Sequence, residues 1–333
     1  PYSAEDMLRK LRAIGSGSET VVIDVTGGTE AALFGAGAYS REANVPAFTY
    51  SRKANTFYNI YNAEFAQAVP CRISYSVDDF VHLAGGRMKN GRVDNNVLAR
   101  YLPDVDDFFQ VYLKHQKKWT DFIIFMQRIS RPTEDDEEPV SIEGSTEQKG
   151  ESGRRVHADE ELMRDLEQIG FLHDVRFTDD RVSFRIRDRQ IRAWLRDVGS
   201  VLELYVYKAC LDSHIFGDVI CSAIIDWSNE KGKNAVTNEI DVVAARGVVP
   251  LFISCKTCDV KTEALNELAI LSGRFGGKGA KSVIVTAEAC SAAARHRAAQ
   301  LGITVIDAEE LRAGSITQRL KIIMKAAPPK EIP

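Results

Sequence analysis

The chain has 333 residues, 44% apolar and 27% charged, with a formal net charge of −4. That is ample apolar material for two packed cores, and a near-neutral balance excludes a chain-wide polyanion binder, so any nucleic-acid surface must be a local patch. No apolar run approaches the ~18 residues of a membrane span and no signal peptide is visible, so a cytoplasmic protein without a membrane anchor is expected.

The predicted elements begin with a β-branched run, residues 21–25, that ends at Thr26-Gly27-Gly28-Thr29. An Ala-rich stretch from Glu30 to Ala43 and a second apolar run from Ala47 to Tyr50 follow. Strand, Gly-rich turn, helix and strand make a βαβ unit of a parallel sheet. Arg52 and Lys53 read as exposed loop bases. Residues 78–84 suggest a short helix closed by Gly85-Gly86. Residues 133–151 carry Glu134, Asp135, Asp136, Glu137, Glu138, Glu143, Glu147 and Glu151 against Lys149, which reads as a linker or mobile loop. Glu160 to Ile169 has helical spacing. Residues 181–187 alternate Val182, Phe184 and Ile186 with Arg181, Ser183, Arg185 and Arg187. That is a half-buried strand whose basic face is either simply solvated, the favoured reading, or a phosphate track.

The last block has its own order. A helix is predicted over Ser200–Cys210 and strands over 218–226, 239–245 and 249–255. A helix over 261–272, a strand over 282–286, a helix over 288–300 and a strand over 303–306 complete a mixed α/β core. The loop Gly273–Gly279 can cradle phosphate but is more simply a turn. Trp119, Trp194 and Trp227 read as packing residues. The six cysteines, without a histidine cluster, read as free thiols rather than a zinc site.

One hairpin concentrates chemistry. It reads Asn238-Glu239-Ile240-Asp241-Val242-Val243, then Leu251-Phe252-Ile253-Ser254-Cys255-Lys256. Glu239 and Asp241 project from one strand face, and two adjacent carboxylates repel unless a cation sits between them. Lys256 ends the neighbouring strand, and Glu203 lies on the preceding helix. Oxygen ligands select Mg²⁺ or Mn²⁺, with Glu203, Glu239 and Asp241 as the ligand set. Such an ion with a lysine beside it suits hydrolysis of a phosphodiester.

Roughly residues 190–310 resemble PD-(D/E)XK nucleases, and more narrowly the DUF1887 group of CRISPR ancillary effectors. The matching pieces come in order: Gly199 with Leu202-Glu203 and Tyr205-Val206-Tyr207, then Asn238 to Val243, Ile253-Ser254-Cys255-Lys256-Thr257, Leu265-Asn266-Glu267-Leu268 and Arg274-Phe275-Gly276-Gly277. The resemblance implies a metal-dependent endonuclease acting on DNA or RNA, with Glu203, Glu239, Asp241 and Lys256 as its active site. The family carries an acid two residues before the lysine, where this chain has Ser254.

Residues 4–90 are similar to part of a CARF domain, a Rossmann-like sensor of cyclic oligoadenylates that works as a homodimer. Val22-Ile23-Asp24-Val25 with the Thr26–Thr29 turn, and Ile73 to Lys89, carry that likeness. It implies that Thr26, Gly27, Gly28 and Thr29 line the pocket for the ligand, expected to be the tetra-adenylate. Glu30 stands where the group often has Lys. A full CARF domain opens with further strands that carry a second ligand loop; the sequence does not show them, so this part reads as N-terminally incomplete or divergent. The expected architecture is therefore α/β. Residues 1–130 form a Rossmann-like CARF-type domain, 131–190 an acidic linker with a small winged-helix-like unit, and 191–333 a restriction-endonuclease-like domain. The expected function is cyclic-oligoadenylate-activated cleavage in type III CRISPR antiviral defence. The alternatives are a sensor with a degenerate, non-cleaving nuclease domain and a dinucleotide-binding oxidoreductase; the second is opposed by the lack of GxGxxG.

Overall fold

The structure, a computed structural model, describes residues 3–15, 20–52, 54–89, 94–132, 139–149, 153–226 and 237–325. The expectations for Lys53, Trp227, Glu134 to Glu138 and Glu151 lie outside these residues. Contacts divide the chain into two units, one within Pro1–Ile73 and one within Ser74–Ala326.

In the first unit, helix α1 (Ala4–Gly15) is followed by strand β1 (Ile23–Asp24), α2 (Glu30–Glu42), β2 (Ala47–Ser51), β3 (Thr56–Tyr61) and β4 (Val69–Pro70). The sheet runs β1-β2-β3-β4, and β1 pairs with β2 in parallel, which makes the expected βαβ unit. Thr29 starts α2 by accepting the Ala32 N–H on its side chain. Glu30 then occupies the first helical position, where the helix dipole favours an acid. The packed apolar cluster among the described residues is small: Ile23, Ala36, Tyr39 and Ala47.

The second unit opens with α3 (Val77–Leu83), β5 (Arg87–Lys89), α4 (Asn95–Leu98) and the long α5 (Val105–Ile129). Residues 74–130, read from sequence with the N-terminal domain, are thus placed by their contacts in this unit. Next come β6 (Val140–Ser145), β7 (Glu147–Lys149), β8 (Arg155–His157), α6 (Glu160–Gln168), β9 (Leu172–Thr178) and β10 (Arg181–Ile186). Residues 140–149, expected to be linker, form two of these strands. Val140 is buried and Ile142 half-buried between exposed Ser141 and Glu143, an alternation too short to outweigh the acidic composition around it. β6, β10 and β9 make an antiparallel sheet in that order.

The final segment is α7 (Arg189–Trp194), α8 (Ser200–Asp212), β11 (Asp218–Asp226), β12 (Thr237–Arg246), β13 (Val249–Lys256), α9 (Thr262–Gly276), β14 (Lys281–Thr286), α10 (Ala292–Gln300), β15 (Ile303–Ile306), α11 (Ala308–Arg312) and α12 (Ile316–Lys325). Its sheet runs β15-β14-β13-β12-β11-β5, with β13, β14 and β15 parallel and the other pairs antiparallel. Alternate side chains leave the sheet on opposite faces. Val242, Leu251 and Ile253 join one core with α5 and α8, while Val243, Phe252 and Ile284 join another with α3 and α9. Trp119 and Trp194 are buried in the first, as expected of packing residues. The Gly273–Gly279 turn is in fact the end of α9 and a 3₁₀ turn. Gly276 is there for packing: a Cβ would come within 2.4 Å of the Ala280 Cβ and 2.8 Å of Pro250.

Candidate active site

The sheet forks at the hairpin. β12 stays paired with β11 to Thr237, and β13 stays paired with β14 to Lys256. The β12–β13 ladder, however, reaches only Val242 and Ile253. Asp241, Ser254 and Lys256 lie just past the split. The two strands are bridged there by one carboxylate oxygen. Asp241 Oδ2 accepts the Cys255 N–H at 2.6 Å and the Ser254 hydroxyl at 3.2 Å. Lys256 Nζ stands 3.8 Å from the same oxygen.

Glu203 enters from the first turn of α8. Its Oε2 accepts the Ser222 hydroxyl at 3.2 Å. Burial raises its carboxyl most. Asp241, Asp197 and Glu239 add like charge, and the carboxyl is pushed up to about 8. Of the predicted residues, Glu203, Asp241, Lys256 and Glu239 therefore act electrostatically on one place, with the first three around the fork and Glu239 two positions before Asp241 on β12. Two contributors were missed. Asp197, in the turn before α8, accepts the Ser200 hydroxyl at 2.7 Å and raises Glu203 more than Glu239 does. Ser222 sits within a strand whose apolar pattern conceals it. An acid and a Gly-Ser pair just before Glu203 was the available signal for the first. Cys255 and Cys258 flank Lys256 at CxxC spacing, yet one is buried and the other exposed, and all six cysteines are free. Burial pushes the Cys255 thiol well up, so it is no thiolate ligand.

The donor set fits a hard divalent cation. Three carboxylates, Asp241, Asp197 and Glu239, press on Glu203, with Lys256 beside Asp241 as a partial counter-charge, and a divalent ion would relieve that repulsion. Among the described residues, the group whose ligand atoms all lie within 4.8 Å of one another is His115, Glu161 and Asp165. There a protein cation already does the ion's work: Lys114 Nζ lies 2.7 Å from Asp165 and 3.1 Å from Glu161. His115 Nε2 is also 2.6 Å from Asp165.

The basic face of β10 is neutralised within the chain. Arg181 pairs with Glu143 at 2.8 Å, Arg185 bonds Asp174, and Arg187 pairs with Asp104 at 2.7 Å. The solvated reading of this face stands. In the first unit, Thr26 Oγ1 donates to Asp24 and accepts the Tyr50 N–H at 2.8 Å. Together with the Thr29 cap, both threonine hydroxyls hold the turn in shape. Gly28 has a φ of +148°, open to glycine alone.

A family model for the Card1-like endonuclease domain matches residues 188–325, the span that builds the fork. The matched span includes Glu203, Asp241 and Lys256 and stops short of the first unit. No curated protein matches the chain. Protein VC1899 from Vibrio cholerae superimposes with a TM-score of 0.69 at 16% identity, over 98% of this chain and 81% of that one. Can2 from Sulfobacillus thermosulfidooxidans, solved with cyclic tetra-adenylate, gives 0.65 at 17%, over 97% and 82%. At such identities the likeness establishes the fold. The expected α/β fold class holds along nearly the whole chain.

Proposed function

We propose that this chain is a cyclic-oligoadenylate-activated, metal-dependent endonuclease of type III CRISPR defence. The observation that carries the reading is the sheet fork, where a family-matched endonuclease domain gathers Glu203, Asp241 and Lys256. Glu203, Asp241 and Glu239 would hold Mg²⁺ or Mn²⁺, which when bound supplies positive charge against the scissile phosphate. The Cys255 N–H and the Ser254 hydroxyl fix Asp241 through Oδ2, so that its other oxygen serves the cation. Ser254 replaces the family's acid, and its neutral hydroxyl gives up one charged ligand in favour of orienting Asp241. The Lys256 ammonium stabilises the charge that builds on the phosphoryl oxygens, or orients the attacking water. Water's proton leaves to solvent and the bond to the leaving oxygen breaks.

The activator reading rests on the CARF-type fold and on the tetra-adenylate bound to Can2. Thr26, Gly27, Gly28 and Thr29 would line the pocket, with backbone N–H groups at the start of α2 suited to phosphate, while the Thr26 N–H is held by Asp24 at 2.8 Å. Exposed Phe34, Ile60 and Phe65 on the first unit support pairing of two copies there. Substrate is DNA, RNA or both, in the cytoplasm. Sensing belongs to the N-terminal unit, cleavage to residues 191–333, and the elements between connect them.

The test is cleavage of supercoiled plasmid and of labelled single-stranded DNA and RNA, with Mn²⁺ or Mg²⁺, with and without cyclic tetra-adenylate. Cutting should need metal, rise with the activator and vanish in Lys256→Ala. Metal-dependent cutting that ignores the activator would sink the sensor role. No cutting by an intact dimer would sink the nuclease and leave a non-cleaving sensor, with Ser254 as the reason.

A further inference from the structure

Ser222 has a backbone conformation that its strand does not need. It lies at the middle of β11 with a φ of +51°. Serine pays a steric cost in the left-handed region, and residues held there inside regular elements cluster at functional sites. Asn44, Asn55, Asn62, Ala68 and His214 adopt the same region outside the regular elements, and Asp174 adopts it inside β9, where the ladder with β10 shifts register; β11 keeps its register through Ser222.

The twist has a visible consequence. Cys221 and Ala223 flank Ser222 and, in a regular strand, would share a face. Here Cys221 packs with Val219 and Val242 in one core, while Ala223 packs with Ile225 and Ile240 in the other. The pairing register is the same on both sides, Cys221 to Val242 and Ala223 to Ile240, so no residue has been inserted. The alternation turns over at Ser222 and, on the partner strand, between Ile240 and Val242 as well, so both strands change faces at this level, β11 through its left-handed residue. The left-handed torsion also aims the Ser222 hydroxyl at α8, where it donates to Glu203 Oε2 at 3.2 Å. The other oxygen of that carboxylate is confined too: a Cβ at Gly199 would come 2.9 Å from Oε1.

We infer that Ser222 is a positioning residue for Glu203, and that β11 keeps its left-handed twist because the hydroxyl must reach Oε2. Glu203 is pressed by neighbouring carboxylates, and without a donor on Oε2 its side chain is free to turn away from Asp241. The inference rests on the nuclease reading for the role of Glu203 as a cation ligand. Ser222 itself touches neither substrate nor cation; it acts through Glu203.

Two variants separate this role from a purely structural one. Ser222→Gly removes the hydroxyl and also removes the steric cost. Ser222→Ala removes the hydroxyl and keeps the cost. Melting of the metal-free chains should rank Ser222→Gly at or above wild type and Ser222→Ala at or below it. Both should nevertheless need about tenfold more Mn²⁺ to reach half of the metal-induced melting shift, the loss typical of an outer-shell partner. Both should also cut about tenfold more slowly at saturating nucleic acid, with KM unchanged. A Ser222→Gly chain that melts higher and keeps the wild-type Mn²⁺ midpoint and kcat would overturn the inference alone. A wild type that neither responds to Mn²⁺ nor cuts would overturn the nuclease reading, and this inference with it.

Discussion

The charge on Glu203 is where residue chemistry reaches furthest. Its carboxyl is raised from 4.5 to about 8, first by burial, then by Asp241, Asp197 and Glu239. An acid with a raised folded pKa binds a proton in the native state that the unfolded chain has released. Metal-free stability should therefore fall as pH rises from about 4.5 to about 8, by up to ~1.4 kcal/mol per unit. A divalent ion competes with that proton, so the Mn²⁺-induced melting shift should grow over the upper part of the same window and level off near pH 8. Glu203→Gln should melt above wild type at pH 8 without metal, and match it near pH 5. A Mn²⁺ shift that is flat from pH 6 to 8 would refute this. Glu203, Asp241 and Lys256 were legible in the sequence because their spacing is a motif. Ser222 was not. Its function depends on one backbone torsion, and torsions of single residues leave no periodic trace.

Most strands and helices of residues 200–306 could be read in advance, because each is a short run with a clear period and a Gly or charged boundary. α5 is the main element that was not read. It buries Phe108, Phe109, Tyr112, Trp119, Phe122 and Ile123, yet breaks at His115, where φ is −108° and ψ is 18°. That break has anchors on both sides. His115 meets Asp165 of α6 at 2.6 Å, and Gln116 donates to the Ala287 carbonyl at 2.7 Å and to Glu288 at 3.0 Å. Arg312 donates to the Gln116 carbonyl oxygen at 3.1 Å. The Ala287 N–H in turn holds the Lys256 carbonyl at 2.9 Å. Gln116 thus ties α5 to the strand end that carries the lysine. Gln116→Ala should cost about 1 kcal/mol, as expected for one partly buried hydrogen bond with an exposed one beside it, and should lower kcat. Arg312→Ala should add little on top, because the two residues share one network. Additive losses in a double-mutant cycle of thermal stability would show that the network does not couple them.

At the scale of the molecule the two units are unequal. The second holds two cores built on both faces of a six-stranded sheet, with caps, ion pairs and the candidate active site inside it. The first has a core cluster of four buried residues among those described and leaves Phe34, Ile60, Phe65 and Ile73 exposed. A unit with its own core can fold by itself, and contacts seldom cross a boundary between such units. Residues 74–325 should therefore fold without the first unit. Circular dichroism and a cooperative melt would show it, since two-state melting requires packed side chains. The truncated protein should keep its Mn²⁺-induced melting shift, because every proposed ligand lies within it. If the first unit is the sensor, cutting by the fragment should no longer change with cyclic tetra-adenylate. A fragment that melts without cooperativity would mean the second unit depends on the first for its core. A folded fragment that still answers to the activator would move the ligand pocket away from Thr26–Thr29 and into the endonuclease unit.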